Sequence, residues 1–368
     1  MNLAIRGLGT ALPGNPISQD LAAAINQVLC CQSEEHKTVV ATLFRHTGIR
    51  QRHMVLDERI VRDILDGTTE TNSPFLPRGL DEDHGPTTQE RMRIYNEAAL
   101  PLAVQAAQKA LYQASIAPET LTHLVTVSCT GFSAPGVDTG LMKALHLSPV
   151  LERTHVGFMG CHGAINGMRV ARAYTGSDPE AKVLLCAVEL CSLHYHYGWD
   201  PKKIVANSLF ADGAAALVGV SGRHGAEGLW RITATGSCLL PQTEYAMTWD
   251  IGDHGFEMTL STKVPDLIAK NLRPWLVRWL DRQGVSLEAI GSWAVHPGGP
   301  RILSAVEEGL GLGPDALAVS RAVLADCGNM SSPTVLFILE RLQSRQAPLP
   351  CVVLGFGPGL VAEAALIE

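Results

Sequence analysis

Apolar and polar positions along this chain switch repeatedly between a period of two and a period near 3.6, the mark of mixed strands and helices. Residues 2–11 read as a strand, and Ser18 is the expected N-cap of a helix running to Leu29. Residues 64–90 are rich in Asp, Thr, Pro and Gly and read as a long surface connection. Helical spacing returns in the Ala-rich stretch 98–114. Beyond it the pattern predicts a strand at 121–128, a short helix at 140–147 and a helix at 163–174. Strands follow at 181–188 and 214–220.

A second set comes after. It comprises a strand at 230–238, a helix at 264–281, a strand ending at 293–295, helices at 302–309 and 333–342, and a closing hairpin of 351–355 with 361–367. The fold class is therefore α/β. Two stretches echo each other: helix, Ile116-Ala-Pro-Glu-Thr-Leu121, strand, and helix, Val285-Ser-Leu-Glu-Ala-Ile290, strand. Gly160-Cys161 and Gly328-Asn329 each open a helix that leads through a linker to a strand. Matched units in the same order predict an internal duplication, with chance likeness between α/β units as the competitor. The junction falls near 221–228, giving halves of 1–222 and 223–368.

Composition narrows the class of protein. With 46% apolar and 18% charged residues among 368, a large core can be buried. The formal charge is −7 and no Lys/Arg block stands out, so a nucleic-acid partner is not expected. The N-terminus carries no long apolar stretch, and no run approaches the roughly 20 residues that span a bilayer. The cytoplasm is the expected compartment. Nine cysteines, an odd number without a CxxC pair, argue against both a disulfide scaffold and a structural zinc site.

Three residues stand in glycine-rich turns at the ends of predicted elements. Cys161 lies in Gly157-Phe-Met-Gly-Cys-His-Gly-Ala164, ahead of a helix. His296 lies in Trp293-Ala-Val-His-Pro-Gly-Gly-Pro300, after a strand. Asn329 lies in Cys327-Gly-Asn-Met-Ser-Ser-Pro333, where Ser332 can cap the next helix with Pro333 in its first turn. Sites of α/β sheets gather at the carboxyl ends of strands. A thiol at a helix start, near an imidazole, is expected to have a lowered pKa and to serve as a nucleophile. His296 can hold its proton or donate to an oxyanion, and Asn329 can donate without adding charge. The competing reading of Cys161 is a buried structural thiol. A papain-like Cys-His-Asn protease is disfavoured, because its Cys lies near the mature N-terminus.

Seven segments in order give the chain a specific resemblance. They are Cys129-Thr-Gly-Phe-Ser-Ala-Pro-Gly-Val-Asp138, Gly157-Phe-Met-Gly-Cys161, Val188-Glu-Leu-Cys-Ser192, Leu209-Phe-Ala-Asp-Gly-Ala-Ala-Ala216, His296-Pro-Gly-Gly-Pro300, Gly328-Asn-Met-Ser-Ser332 and Gly355-Phe-Gly-Pro-Gly359. The chain resembles the type III polyketide synthases, the chalcone synthase superfamily, and more closely its bacterial branch. The resemblance implies a thiolase fold, a duplicated five-layered αβαβα architecture, in a homodimer. It implies that Cys161 is loaded from an acyl-CoA starter. Malonyl-CoA then loses CO2 with His296 and Asn329 polarising its carbonyl, and the chain cyclises to a pyrone, resorcinol or related product. Coenzyme A thioesters are substrates, and no separate cofactor is implied.

The resemblance also assigns a pocket. Phe210 matches one gatekeeper phenylalanine, with a core Phe as the competing reading. The second gatekeeper position carries Met258, a flexible side chain that suits an adaptable pocket. Pocket-lining positions fall on Cys191, His194, Trp249 and Ser331, of which His194 and Trp249 are large departures from the plant enzyme. Arg45 is the best match to the basic coenzyme A entrance, with Arg50 and Arg52 nearby and equally readable as solvated cations. Gly355-Phe-Gly-Pro-Gly359 is a poor dinucleotide fingerprint, since too little chain follows for a βαβ helix. His194 and His196 would share a face of an extended strand, but no third metal ligand is evident. Three rivals remain: a single-round ketoacyl synthase III-like enzyme, an acyl-CoA hydrolase, and a silent small-molecule binder.

Overall fold

The structure is a computed structural model that describes residues 2–14, 16–79, 83–222 and 229–368. The expected junction at 221–228 falls almost wholly outside the described residues, as do 80–82 of the expected connection.

The first half runs β1 (Leu3–Ala11), β2 (Ile17–Ser18), α1 (Gln19–Cys30), α2 (Glu34–Arg45), β3 (Gln51–Arg52), α3 (Glu58–Asp66) and α4 (Thr88–Ala114). It continues through β4 (His123–Ser128), α5 (Val137–Ala144), β5 (Glu152–Gly157), α6 (Gly163–Ser177), β6 (Lys182–Leu190), α7 (Pro201–Leu209) and β7 (Asp212–Ser221). The second half runs β8 (Arg231–Leu239), β9 (Met247–Gly252), β10 (Gly255–Leu260), α8 (Val264–Asp281), β11 (Ser292–Val295), α9 (Pro300–Leu310), α10 (Ala318–Cys327), α11 (Thr334–Ser344), β12 (Cys351–Gly357) and β13 (Val361–Ile367).

The nine-stranded sheet has the order β11-β12-β13-β8-β1-β7-β6-β4-β5. It is two sheets joined where β1 meets β8 at Leu3↔Ile232 and Ala4↔Arg231. The duplication is visible in the order itself. β4-β6-β7-β1 and β11-β12-β13-β8 have the same sequence of partners, the first pair parallel and the next two antiparallel.

Side-chain alternation builds the layers, because neighbours on a strand face opposite sides. Leu124, Leu184 and Ala216 pack with α4 on the outer face of the first sheet. Val125, Leu185 and Leu217 face inward and meet α6, α11 and Val353 of the second sheet in one core. Val352 and Leu354 turn outward against α8 and α9. The result is five layers, helix–sheet–helix–sheet–helix, as a thiolase-like α/β fold requires.

Several boundaries differ from the sequence expectation. Ser18 does cap α1, accepting from Leu21 N at 3.1 Å. The 64–90 connection is shorter than expected, because α3 ends at Asp66 and α4 starts at Thr88 with a Thr87/Glu90 capping box. α5 begins three residues before the expected start at 140. Helices α2, α3, α7 and α10 were not legible in the pattern.

Candidate active site

Cys161 sits on a 3-10 turn, Gly160–His162, that feeds directly into α6. Gly160 has φ +67°, and a Cβ there would lie 2.4 Å from Pro358 Cδ, so only glycine lets the Gly-Pro-Gly turn after β12 press against the cysteine. His296 follows β11 and donates its backbone N–H to Leu354 O at 2.8 Å. Asn329 leaves α10 through Gly328 and bridges in parallel to Phe210. The helix after Asn329 starts only at Thr334 and its N-cap is Pro333, without a side-chain cap. The expected cap, Ser332, instead donates to Glu189 Oε1 at 2.6 Å.

Two spaces share Cys161 in their walls. A narrow pocket of about 30 Å³ is lined by Cys161, His296, Asn329, Phe210, Met258 and Phe356. A larger cavity of about 360 Å³ is lined by Cys161, Cys191, His194, Trp249, Ser331 and Met258, among others. Cys161, Ala206, Phe210, Met247 and Met258 border both. Phe210 is therefore a lining residue rather than a core residue.

The polar groups of the narrow pocket are unevenly engaged. Asn329 Oδ1 accepts from Ser331 N at 2.8 Å, which fixes the amide and turns Nδ2 toward Gly298 O, 3.5 Å away, and the Cys161 thiol. Both ring nitrogens of His296 are buried without a protein partner, as is His162 Nε2. An unpartnered buried imidazole is costly in isolation and marks a place where a ligand completes the hydrogen bonding. Burial pushes the Cys161 thiol up to about 11, against hydrogen bonding from Ser331 and Asn329, and pushes His296 down to about 3. The resting pair is thus neutral at pH 7. The expected low thiol pKa is overturned, because burial outweighs the helix start.

The larger cavity is different. His194 Nε2–H donates to Thr130 O at 2.6 Å while Nδ1 accepts from Phe256 N at 2.9 Å, so its tautomer is fixed and no lone pair is left for a metal. His194 closes a 3-10 turn, Cys191–His194, so the extended geometry assumed for His194 and His196 does not exist. Its ring stacks on Phe256 at 4.1 Å. Trp249 faces Met258 across the β9–β10 hairpin and donates Nε1–H to Cys129 O at 2.7 Å. Both departures from the plant enzyme turn their donors into the wall and offer rings to the cavity. Ser331, at φ +56°, holds its hydroxyl 3.4 Å from Cys129 Sγ in a strained backbone turn.

Glu189 stands in the Val188-Glu-Leu-Cys-Ser192 segment, where nothing in the sequence marks its role. It is fully buried and accepts from Cys129 N, Thr130 N, Thr130 Oγ1, Ser128 Oγ and Ser332 Oγ. Burial raises its pKa, and the hydrogen bonds from Ser332, Thr130 and Cys129 oppose the shift. It ties the end of β4 to the turn carrying Asn329. Phe256 was also missed. The Gly252-Asp-His-Gly255 turn between two alternating runs is a hairpin signal that would have found it.

The arginines separate sharply. Arg45 ends α2, exposed and outside both spaces. Arg50 pairs with Asp326. Arg52 is fully buried, so it can face no phosphate and is no solvated cation.

Comparison with known proteins accords with this geometry. The family model described as "Chalcone and stilbene synthases, N-terminal domain" matches residues 2–222, and its C-terminal counterpart matches 231–368. The chain belongs to the chalcone and stilbene synthase family of type III polyketide synthases. These are acyltransferases that use coenzyme A thioesters and condense them with decarboxylation. The chain is 35% identical over 290 residues to the alpha-pyrone synthesis polyketide synthase-like Pks18 of Mycobacterium tuberculosis, covering 77% of this chain and 74% of that protein. It is 32% identical to the 1,3,6,8-tetrahydroxynaphthalene synthase of Streptomyces peucetius subsp. caesius, covering 99% of this chain and 92% of the relative. The crystal structure of PKS-I from the brown alga Ectocarpus siliculosus superposes with a TM-score of 0.91 at 31% identity, over 100% of this chain and 98% of that one. Among the described residues no helix is long and apolar enough to cross a membrane.

Proposed function

We propose that Cys161 is the acyl carrier and that His296 and Asn329 form the decarboxylation site. The observation that carries this reading is the narrow pocket, where one thiol faces an unpartnered imidazole and an oriented amide. In loading, the Cys161 proton passes to His296 as sulfur attacks the starter thioester. The carbonyl–sulfur bond to coenzyme A breaks, and coenzyme A leaves as the thiol after taking a proton. In extension, malonyl-CoA loses CO2 and the electron pair becomes an enolate. His296 and Asn329 donate to its oxygen, a charge-stabilising arrangement. The enolate carbon attacks the acyl thioester, and Cys161 departs.

The starter in this reading is a medium or long fatty acyl-CoA. The hydroxyls, imidazole and indole around the larger cavity already bond to the protein, as Thr130, Ser192, His194 and Trp249 show. An apolar chain fits such walls. Closure by lactonisation to a pyrone, the simplest of the ring closures, asks for no further polar group from the cavity. The reading needs no cofactor. Arg45 is assigned to the coenzyme A entrance as an exposed cation at a helix end. The domains divide at 222/223. We assign a homodimer, with edge strand β5 and half-exposed Phe132 beside it as the contact face. Free cysteines suit the reducing cytoplasm.

Incubation with labelled malonyl-CoA and a series of acyl-CoA starters tests the reading. Labelled CO2 together with a pyrone supports it. A single 3-ketoacyl product points to the ketoacyl synthase III-like rival, and free acid alone sinks the proposal in favour of a hydrolase.

A further inference from the structure

Among the described residues Arg52 is, with Arg91, one of the two largest fully buried side chains, and no ion pair involves it there. Burial lowers its pKa, so the site holds a cation at a cost that something must offset. Tyr195 and Asp212 favour the charge from a distance, and the direct compensation is backbone. Nη1 donates to Asn207 O and to Phe210 O, both at 2.7 Å, and Nη2 donates to Ser208 O at 3.2 Å. These are carbonyls at the C-terminal end of α7, where the helix leaves its acceptors unpaired and its dipole favours positive charge. Gln19 Oε1 accepts from Nε at 3.1 Å and Nη2 at 2.9 Å, while Gln19 Nε2 donates to the same Ser208 O at 2.9 Å.

The intervening carbonyl, Leu209 O, accepts from Asn329 N at 2.9 Å, and Ala211 N returns a bond to Asn329 O at 2.8 Å. A second contact runs to the same turn. A Cβ on Gly328 would lie 3.2 Å from Arg52 Cβ, so the arginine stem packs directly against the residue before Asn329. One guanidinium therefore fixes the carbonyl of Phe210, and through two backbone bonds the turn that presents Asn329.

We propose that Arg52, braced by Gln19, is a positioning residue that sets Phe210 and Asn329 relative to Cys161 for the decarboxylative step. It touches neither substrate nor nucleophile. The proposal rests on the role given above to Asn329. A lysine keeps the charge but presents a compact ammonium that does not span three carbonyls as the planar fork does.

The test compares wild type with Arg52→Lys in three measurements: the thermal midpoint, octanoyl transfer to Cys161 from octanoyl-CoA by intact mass, and CO2 release from labelled malonyl-CoA. Small displacements of catalytic groups cost about a hundredfold. The expected result is acyl transfer within about threefold of wild type and kcat for CO2 release lower by about tenfold to a hundredfold, with KM for malonyl-CoA little changed. CO2 release within about threefold of wild type overturns the proposal, as does an equal fall in both reactions, which a merely structural arginine would give. If Arg52→Lys does not fold, Gln19→Leu carries the test, with the same split at about threefold to tenfold expected and an even loss overturning it. A wild-type protein that neither loads octanoyl nor releases CO2 would instead refute the proposed function, and is recognised before any variant is made.

Discussion

The two halves of the molecule place different chemistry at equivalent points of one topology. Cys161 precedes α6 and Asn329 precedes α11, and these helices occupy the same place in the two repeats. Cys129 follows β4 as His296 follows β11. The ends of β6 and β12 each reach over to the other half. Glu189 of β6 holds Ser332, while the turn after β12 presses on Gly160. The first half thus supplies thiols and the second supplies hydrogen-bond donors. The fold sets where side chains meet, and the residues placed there set the chemistry.

Breaking the first-half partner should have the largest effect. Cys161→Ala removes the only acyl acceptor in this mechanism, and octanoyl loading followed by intact mass should fall at least about a thousandfold. Full condensation by this variant would transfer the nucleophile elsewhere. Breaking the second-half partner should be selective. Asn329→Ala should lower CO2 release from malonyl-CoA by about a hundredfold to a thousandfold, the usual loss for one oxyanion donor, and should affect loading less, because the Cys161 proton passes to His296 and not to the amide. Equal losses in both reactions would remove the division of labour between halves.

How far this comparison was legible depends on the kind of interaction. The repeat showed in sequence because matched turns, such as 116–121 and 285–290, obey local chemistry. Cys161, His296 and Asn329 showed because glycine-rich turns surround them. Arg52 was misread since a lone arginine in sequence looks like a surface cation, and its acceptors are carbonyls 155–158 residues away. Ser332 was misread for the related reason that a nearby cap and a distant carboxylate compete for one hydroxyl, and burial favours the carboxylate. The missed helix α7 is short, and its Asp200 cap and Pro201 start lie in a polar stretch with weak periodicity.

The thiol–imidazole pair offers a sharper comparison through pH. A thiol pushed up to about 11 remains protonated at neutral pH, so its thiolate fraction rises about tenfold per pH unit below that value. Alkylation of Cys161 by iodoacetamide, read on its peptide by mass spectrometry, should climb about a hundredfold from pH 7 to 9 without a plateau. Cys129, its neighbour from the same half, is pushed well above the ordinary range and should react more slowly. An inflection between pH 5 and 7 would show a thiolate–imidazolium pair at rest and refute the neutral description.

Glu189 tests whether the halves hold each other. Its partners are all donors, so Glu189→Gln turns an amide NH2 toward N–H and O–H groups. Leaving buried donors unpaired costs about 2–3 kcal/mol in urea unfolding. A loss below about 0.5 kcal/mol would mean the carboxylate is replaceable.

Ser332→Ala removes the bond by which, among the described residues, Glu189 reaches the second half. A hydrogen bond to a charged group contributes about 1.5–3 kcal/mol, yet the carboxylate keeps donors from Ser128, Cys129 and Thr130. The expected loss is therefore only about 1 kcal/mol in urea unfolding. Its effect on CO2 release should exceed its effect on loading, because the freed turn carries Asn329 and not Cys161. If loading suffered more, Ser332 would be serving the thiol side, and the tie between Glu189 and the donor side would lose its functional meaning.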